Sequence, residues 1–187
     1  MENIIALVGN PNTGKTTFFN SLTKSNEHVG NWHGVTVDIK EKQVKINNEE
    51  VKICDLPGLY SLTNYSYEEE VAKQYLYNKD CKIINICDAN NLARNLYLTL
   101  QLLEMGKDVV LCVNMKKEFT KSGRILEIEQ LKKILKIPVF FIDANNKKEV
   151  IEVVKYCLNK NEKQTFEPTY FNSLPINEVM CMIKTHK

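Results

Sequence analysis

Apolar segments alternate with amphipathic ones along nearly the whole chain. Apolar, strand-like runs occupy residues 3–9, 35–46, 50–55, 82–87, 108–113 and 138–142. Between them, residues 15–24, 67–78, 91–105, 126–136 and 147–159 have the spacing of amphipathic helices. Strands taking turns with helices predict an α/β fold with a mostly parallel sheet covered on both faces. Six strands are expected, one of them an antiparallel edge strand. The reason is that the runs 35–46 and 51–54 flank Asn47-Asn48-Glu49-Glu50, which reads as a hairpin turn.

Local signals refine this layout. Ser66-x-x-Glu69 forms a capping box, and the acids at 68–70 suit the positive end of a helix, so a structural role is the simpler account of them. The lysine- and glutamate-rich patches at 116–121 and 147–149 read as solvated faces. After about residue 160 the pattern weakens: 160–165 is polar, and Pro168 and Pro175 interrupt the remainder. The layout is therefore one domain over 1–160 and an extension over 161–187. A short helix at about 176–183 would be the start of a helical region. No internal repeat is visible.

Bulk properties narrow the class. A chain of 187 residues with 43% hydrophobic content can fill one core. A net charge of +2 gives no electrostatic footprint for nucleic acid. No run approaches the roughly 18 apolar residues a membrane span needs, and the first residues lack a signal-peptide pattern. A cytosolic chain is expected, and its oligomeric state is left open. Cys54, Cys81, Cys87, Cys112, Cys157 and Cys181 show no C-x-x-C spacing, and the three histidines are scattered. Reduced thiols packed as small hydrophobes are expected, rather than a metal centre.

Chemistry enters with Gly9-Asn10-Pro-Asn12-Thr13-Gly14-Lys15-Thr16, which matches the phosphate-binding pattern G-x-x-x-x-G-K-S/T between a strand and a helix. Gly9 and Gly14 permit backbone approaches that a Cβ would block. The loop amides, through Thr17, cradle phosphate, Lys15 supplies charge to the β- and γ-phosphates, and the Thr16 hydroxyl can ligate Mg²⁺. Asp55-Leu-Pro-Gly58 follows a strand, so Asp55 can support Mg²⁺ through water and Gly58 can offer its amide to the γ-phosphate. Thr36 could complete the Mg²⁺ shell, and Asn114-Met115 could contact a base edge. Any one of the last three is weak by itself; in this order after a phosphate loop they form a nucleotide-hydrolase set.

Four segments carry a more specific resemblance: Gly9 to Thr17, Val29-Gly30-Asn-Trp32-His-Gly34-Val35-Thr36-Val37, Asp55-Leu-Pro-Gly-Leu-Tyr-Ser-Leu62 and Arg94-Asn-Leu-Tyr-Leu-Thr-Leu-Gln101. Together they resemble the GTPase domain of the ferrous iron transport protein B (FeoB) family over roughly residues 3–159. The resemblance implies GTP and GDP as ligands and slow GTP hydrolysis with Mg²⁺. It implies K⁺ held by Asn12 and by carbonyls at Gly30 and Trp32, adding positive charge where no arginine finger exists. Lys15, Thr36 and Gly58 would serve catalysis; Gly34 and Val35 would lie in the nucleotide-binding switch. A membrane-embedded iron-transporting region, covalent or separate, would be the partner, placing the domain at the cytoplasmic membrane face. Leu59 stands where a small GTPase carries its water-orienting Gln, and intrinsic turnover is expected to be slow.

The chain departs from the family at the base site. The motif Asn-x-x-Asp reads Asn114-Met115-Lys-Lys117, and Lys117 has only donors for guanine's donor pair. Losing charge-assisted bonds of about 1.5–3 kcal/mol each predicts a guanine affinity weakened roughly a hundredfold or more. Glu118 is one candidate substitute acceptor. The usual Ser-Ala becomes Asp143-Ala144-Asn145, where the Ala144 amide could still meet a C6 oxygen and relaxed purine selectivity becomes a hypothesis. Two other classes compete: a degenerate nucleotide-binding switch or scaffold with little hydrolysis, and a ribosome-assembly GTPase, against which the segment 30–37 argues.

Overall fold

Strand β1 (Asn3–Val8) is apolar at every position after Asn3. Its pleat sends Ile5 and Leu7 into one core cluster, and Ala6 and Val8 into another. A strand buried on both sides belongs in the middle of a covered sheet, and β1 lies there. The computed structural model describes residues 3–23, 28–31, 38–62, 66–159 and 183–185. After β1 come α1 (Lys15–Thr23), β2 (His28–Asn31), β3 (Asp38–Ile46), β4 (Glu49–Asp55) and α2 (Tyr67–Asn78). Next are β5 (Lys82–Asp88), a 3-10 turn at Ala89–Asn91, α3 (Leu92–Glu104), β6 (Val109–Asn114) and α4 (Lys116–Lys121). The series ends with β7 (Arg124–Leu126), α5 (Ile128–Leu135), β8 (Val139–Phe141), α6 (Lys147–Asn159) and β9 (Ile183–Thr185).

The main sheet has the order β2-β3-β4-β1-β5-β6-β8. Strands β4, β1, β5, β6 and β8 run parallel, while β3 is antiparallel to both neighbours. Phe18, Phe19 and Leu22 of α1 and Val150, Val153 and Val154 of α6 cover the Ile5/Leu7 face. Val71, Tyr75 and Leu76 of α2, Leu96 and Leu103 of α3, and Leu131 and Leu135 of α5 cover the other. Each such buried side chain contributes roughly 1.5–3 kcal/mol. Helices on both faces of a mostly parallel sheet are what the alternating pattern predicts.

The differences from expectation are local. The sheet has a seventh strand, β2, and the hairpin turn is shorter than expected. Asn47 and Asn48 alone form it, at φ 49° and 66°, the left-handed pair that matches strand twist, and Glu49 and Glu50 already belong to β4. The patch at 116–121 is helical because Phe119, fully buried, anchors it. The expected helix at 176–183 lies outside the described residues except at Ile183, which is extended and starts β9, paired with β7. Among the described residues no helix is long and apolar enough to cross a membrane.

Candidate functional site

Parallel strands deliver the residues that follow them to one end of the sheet, beyond their carboxyl ends, where α/β folds bind ligands. Here β1 leads into Gly9, β4 ends at Asp55, β6 ends at Asn114 and β8 leads to Asp143. At Gly9 an added Cβ would strike the Ile86 carbonyl oxygen. At Gly14, φ is +89° and a Cβ would strike Asn114 Nδ2, so both glycines are required by geometry. The Thr13 hydroxyl donates to the Asn10 carbonyl at 3.0 Å, closing the loop on itself. Asn12 is exposed at its tip with φ 65°, a turn conformation asparagine tolerates. Asn10 is 3% exposed, and neither polar atom of its side chain has a hydrogen-bond partner among the described residues. Helix α1 starts at Lys15, so its first amides face the loop's concavity, the arrangement that binds anions.

The charged centre lies beside that helix end. Lys15 Nζ is 3.3 Å from Asp55 Oδ1, and the Thr16 hydroxyl donates to Asp55 Oδ2 at 3.4 Å. Asp55 is 6% exposed. Burial raises its carboxyl pKa above the ordinary value, against the lowering effect of the Lys15 charge. A hydroxyl and a carboxylate side by side form a hard oxygen pair suited to Mg²⁺.

The segment after Asp55 is strapped to the phosphate loop. Leu59 N donates to the Gly9 carbonyl at 3.0 Å, and a Cβ on Gly58 would come within 3.1–3.2 Å of Pro11. The Leu59 side chain is fully buried, so it faces the core rather than any bound phosphate. Beyond it, Tyr60 N donates to Glu69 Oε1 at 3.2 Å and Leu62 N to Gln101 Oε1 at 2.8 Å. Arg94 lies over the Tyr60 ring at 4.6 Å. Ser66 Oγ caps α2 by accepting from Glu69 N at 3.1 Å. Glu69 thus serves the helix cap through its backbone amide and the loop at Tyr60 through its carboxylate. Sequence reasoning gave Glu69 only a helix-end role and quoted Arg94 and Gln101 without one, because their partners lie far along the chain.

At the other end, Asn114 joins two loops. Its Nδ2 donates to the Thr13 carbonyl at 2.9 Å, and its Oδ1 accepts from Ala144 N at 2.8 Å. The Ala144 amide expected at a base oxygen is therefore engaged by Asn114. Met115 takes φ 67°, turning the chain sharply into α4. Lys116 N then donates to the Ile142 carbonyl at 3.2 Å and Lys117 N to Asp143 Oδ1 at 3.1 Å. Asp143 N donates to Glu149 Oε2 at 2.8 Å, and Lys116 pairs with Glu149 at 3.6 Å. Ser21 of α1 donates to the Ala144 carbonyl at 2.5 Å. Lys117, Glu118 and Asn145 are exposed.

Lys15, Thr16, Asp55 and Gly58 are thus brought to one end of the site, and Asn114, Met115, Lys117, Asp143 and Ala144 to the other. Thr17 is half-buried in the first turn of α1. Trp32, Gly34, Val35 and Thr36 lie outside the described residues. Gly30 is described through its backbone, which pairs with Ile39 in the sheet.

Comparison with known proteins agrees on one relationship. A family profile for ferrous iron transport protein B matches residues 3–157. The Fe(2+) transporter FeoB of Escherichia coli K12 is 40% identical over 186 residues, covering 96% of this chain. The chain spans only 24% of that transporter's length. The structure of a mutant S. thermophilus NFeoB bound to mGDP superposes with a TM-score of 0.82 at 40% identity, covering 91% of this chain and 65% of that one. The cytosolic domain of T. maritima FeoB in apo form gives a TM-score of 0.80 at 36% identity, covering 89% and 68%.

Proposed function

The chain belongs to the ferrous iron transport protein B family, and from that membership we propose that it binds GTP and GDP and hydrolyses GTP slowly, as the G domain of an Fe(II) transport protein. The observation that carries this reading is the meeting of Lys15, Thr16 and Asp55 at the start of α1, beneath a loop whose glycines cannot be replaced. Lys15 and the loop amides hold phosphate charge, the ammonium exchanging Asp55 for a phosphate oxygen. Thr16, Thr36 and Asp55 would hold Mg²⁺, Asp55 through water; when bound, the ion neutralises charge developing on the transferred phosphoryl group.

The Leu59 amide on the Gly9 carbonyl ties the segment after Asp55 to the loop, so Gly58 can register the γ-phosphate. With the Leu59 side chain buried, water must be positioned by Thr36, backbone groups or an ion. Unassisted turnover would then be no faster than the rate on the order of 10⁻⁴ s⁻¹ of an unassisted small GTPase that has its Gln. K⁺ held by Asn12 and by carbonyls near Gly30 and Trp32 would supply the missing positive charge. The domain would act at the cytoplasmic membrane face, on an iron-conducting membrane region joined to it or recruited by it.

The test is phosphate release with Mg²⁺ in KCl and in NaCl. Faster release in KCl, lost in Asn12→Ala, together with loss of nucleotide binding in Lys15→Ala, supports the reading. GTP binding without K⁺-dependent release would instead favour a switch or scaffold module that scarcely hydrolyses, the reading to which the buried Leu59 side chain lends weight.

A further inference from the structure

We propose that Asp143, from the loop after β8, is the carboxylate that reads the N1–H and exocyclic amine of guanine in place of the family's acidic residue at position 117. This rests on the GTP-binding reading above. It reverses the sequence expectation that Lys117 weakens guanine binding.

Strands β6 and β8 are paired neighbours, with Val113 opposite Phe141. Parallel neighbours lie about 4.8 Å apart, so the segments that leave them run side by side. Two bonds keep them so: Lys116 N to the Ile142 carbonyl at 3.2 Å, and Lys117 N to Asp143 Oδ1 at 3.1 Å. The Asp143 carboxylate therefore rests on the backbone of the residue whose own side chain has lost the acid. The acid that the family motif places on the loop after β6 has its counterpart here on the adjoining loop.

The carboxylate is held but not used up. Asp143 N is anchored on Glu149 at 2.8 Å, and its carbonyl accepts from Asn146 N at 2.8 Å. Oδ1 accepts one bond from Lys117 N, while Oδ2 has no hydrogen-bond partner among the described residues. Each carboxylate oxygen offers two lone-pair directions, enough for the two donors of guanine. The next residue, Ala144, is bonded to Asn114, which also holds Thr13 of the phosphate loop. A purine whose phosphates sit in that loop thus has Asp143 on the adjoining wall. Of the other acids nearby, Glu149 is engaged by the Asp143 amide and by Lys116, and Glu118 follows Lys117 along α4, where successive helical side chains point about 100° apart.

The experiment uses the 187-residue chain with Mg²⁺ and GDP, IDP, XDP or ADP, measured by calorimetry. Asp143→Asn keeps one oxygen for the Lys117 amide and replaces the other acceptor with a donor. That donor suits the C2 oxygen of xanthine and opposes the C2 amine of guanine. The unsubstituted chain is expected to prefer GDP over IDP and XDP by at least about tenfold. In Asp143→Asn, GDP affinity should fall about tenfold to a hundredfold and XDP affinity should rise, with the urea midpoint unchanged. A gain for xanthine is a readout that a purely structural Asp143 would not move. An unchanged GDP:XDP ratio in Asp143→Asn overturns the proposal, as does loss of guanine preference in Glu118→Gln with Asp143→Asn unaffected. Equal binding of GDP, IDP and XDP by the unsubstituted chain also overturns it while leaving the nucleotide-binding reading intact. Binding of none of the four overturns both.

Discussion

Asn114 has its side chain committed before any base arrives. Its amide spans from the Thr13 carbonyl to the Ala144 amide and is 5% exposed, so it couples the phosphate loop to the loop after β8. Asn114→Ala leaves two buried backbone groups without partners, each costing about 1–3 kcal/mol. The substituted chain is expected to lose that stability in urea unfolding without nucleotide; an unchanged midpoint would mean that Asn114 acts on the base alone. Gly58 gives a second expectation. Since a Cβ at Gly58 would stand 3.1–3.2 Å from Pro11, Gly58→Ala should push the strap off the phosphate loop. Phosphate release should then fall further than GDP affinity, a split visible by comparing single-turnover rates with calorimetry. The phosphate loop was legible in the sequence because each of its fixed residues answers a local requirement within one short segment. The partnership of Asp143 with Lys117 was not, since the two lie 26 residues apart and meet only through the pairing of β6 with β8.

The elements divide in the same way. Strands such as β1, β5 and β6 and helices such as α3 and α6 were legible because their apolar positions repeat over one or more turns or pleats. Strand β2 was not: His28–Asn31 contains one aliphatic residue, Val29, and is a strand only because β3 offers an edge. Helix α4 carries a single buried side chain, Phe119, too few to set a period. Strand β7 pairs with β9 near the far end of the chain, beyond the reach of any local signal. Helix α3 also has a role its periodicity conceals, since Gln101 accepts from Leu62 N and Arg94 lies over Tyr60. This helix holds the end of the strap. Gln101→Ala should cost about 1 kcal/mol and speed amide exchange at residues 59–62 before exchange elsewhere rises. Uniform acceleration across the domain would instead mean that the substitution weakens the whole core.

At the scale of the whole molecule, the two-faced core sets how the domain responds to alkali. All five described cysteines are buried and in no disulfide, in keeping with thiols packed as small hydrophobes. Burial pushes the thiols of Cys54 and Cys87 up to about 12 and that of Cys81 to about 11, from an ordinary 9.0. Cys112 is raised well above that value for the same reason. An acid with a raised pKa in the folded state binds its proton more tightly there than when unfolded, so folding stability falls as pH rises. The loss starts near 9.0, where unfolded thiols ionise, and continues until the folded thiols do so near 11–12. At pH 10 each such thiol costs on the order of 1 kcal/mol. Together the thiols take a sizeable part of the roughly 5–15 kcal/mol that typically holds a domain folded. The urea midpoint should therefore stay nearly level between about pH 7 and 8.5 and drop steeply by pH 10. Cys87→Val and Cys112→Val should each flatten that drop by about the share of one thiol. Tyr75, whose hydroxyl donates to Cys54 Sγ at 3.0 Å and whose pKa burial also raises, adds to the loss above its own ordinary value. A drop of the same size in the cysteine variants would assign the alkaline instability to Tyr75 or to surface charge instead.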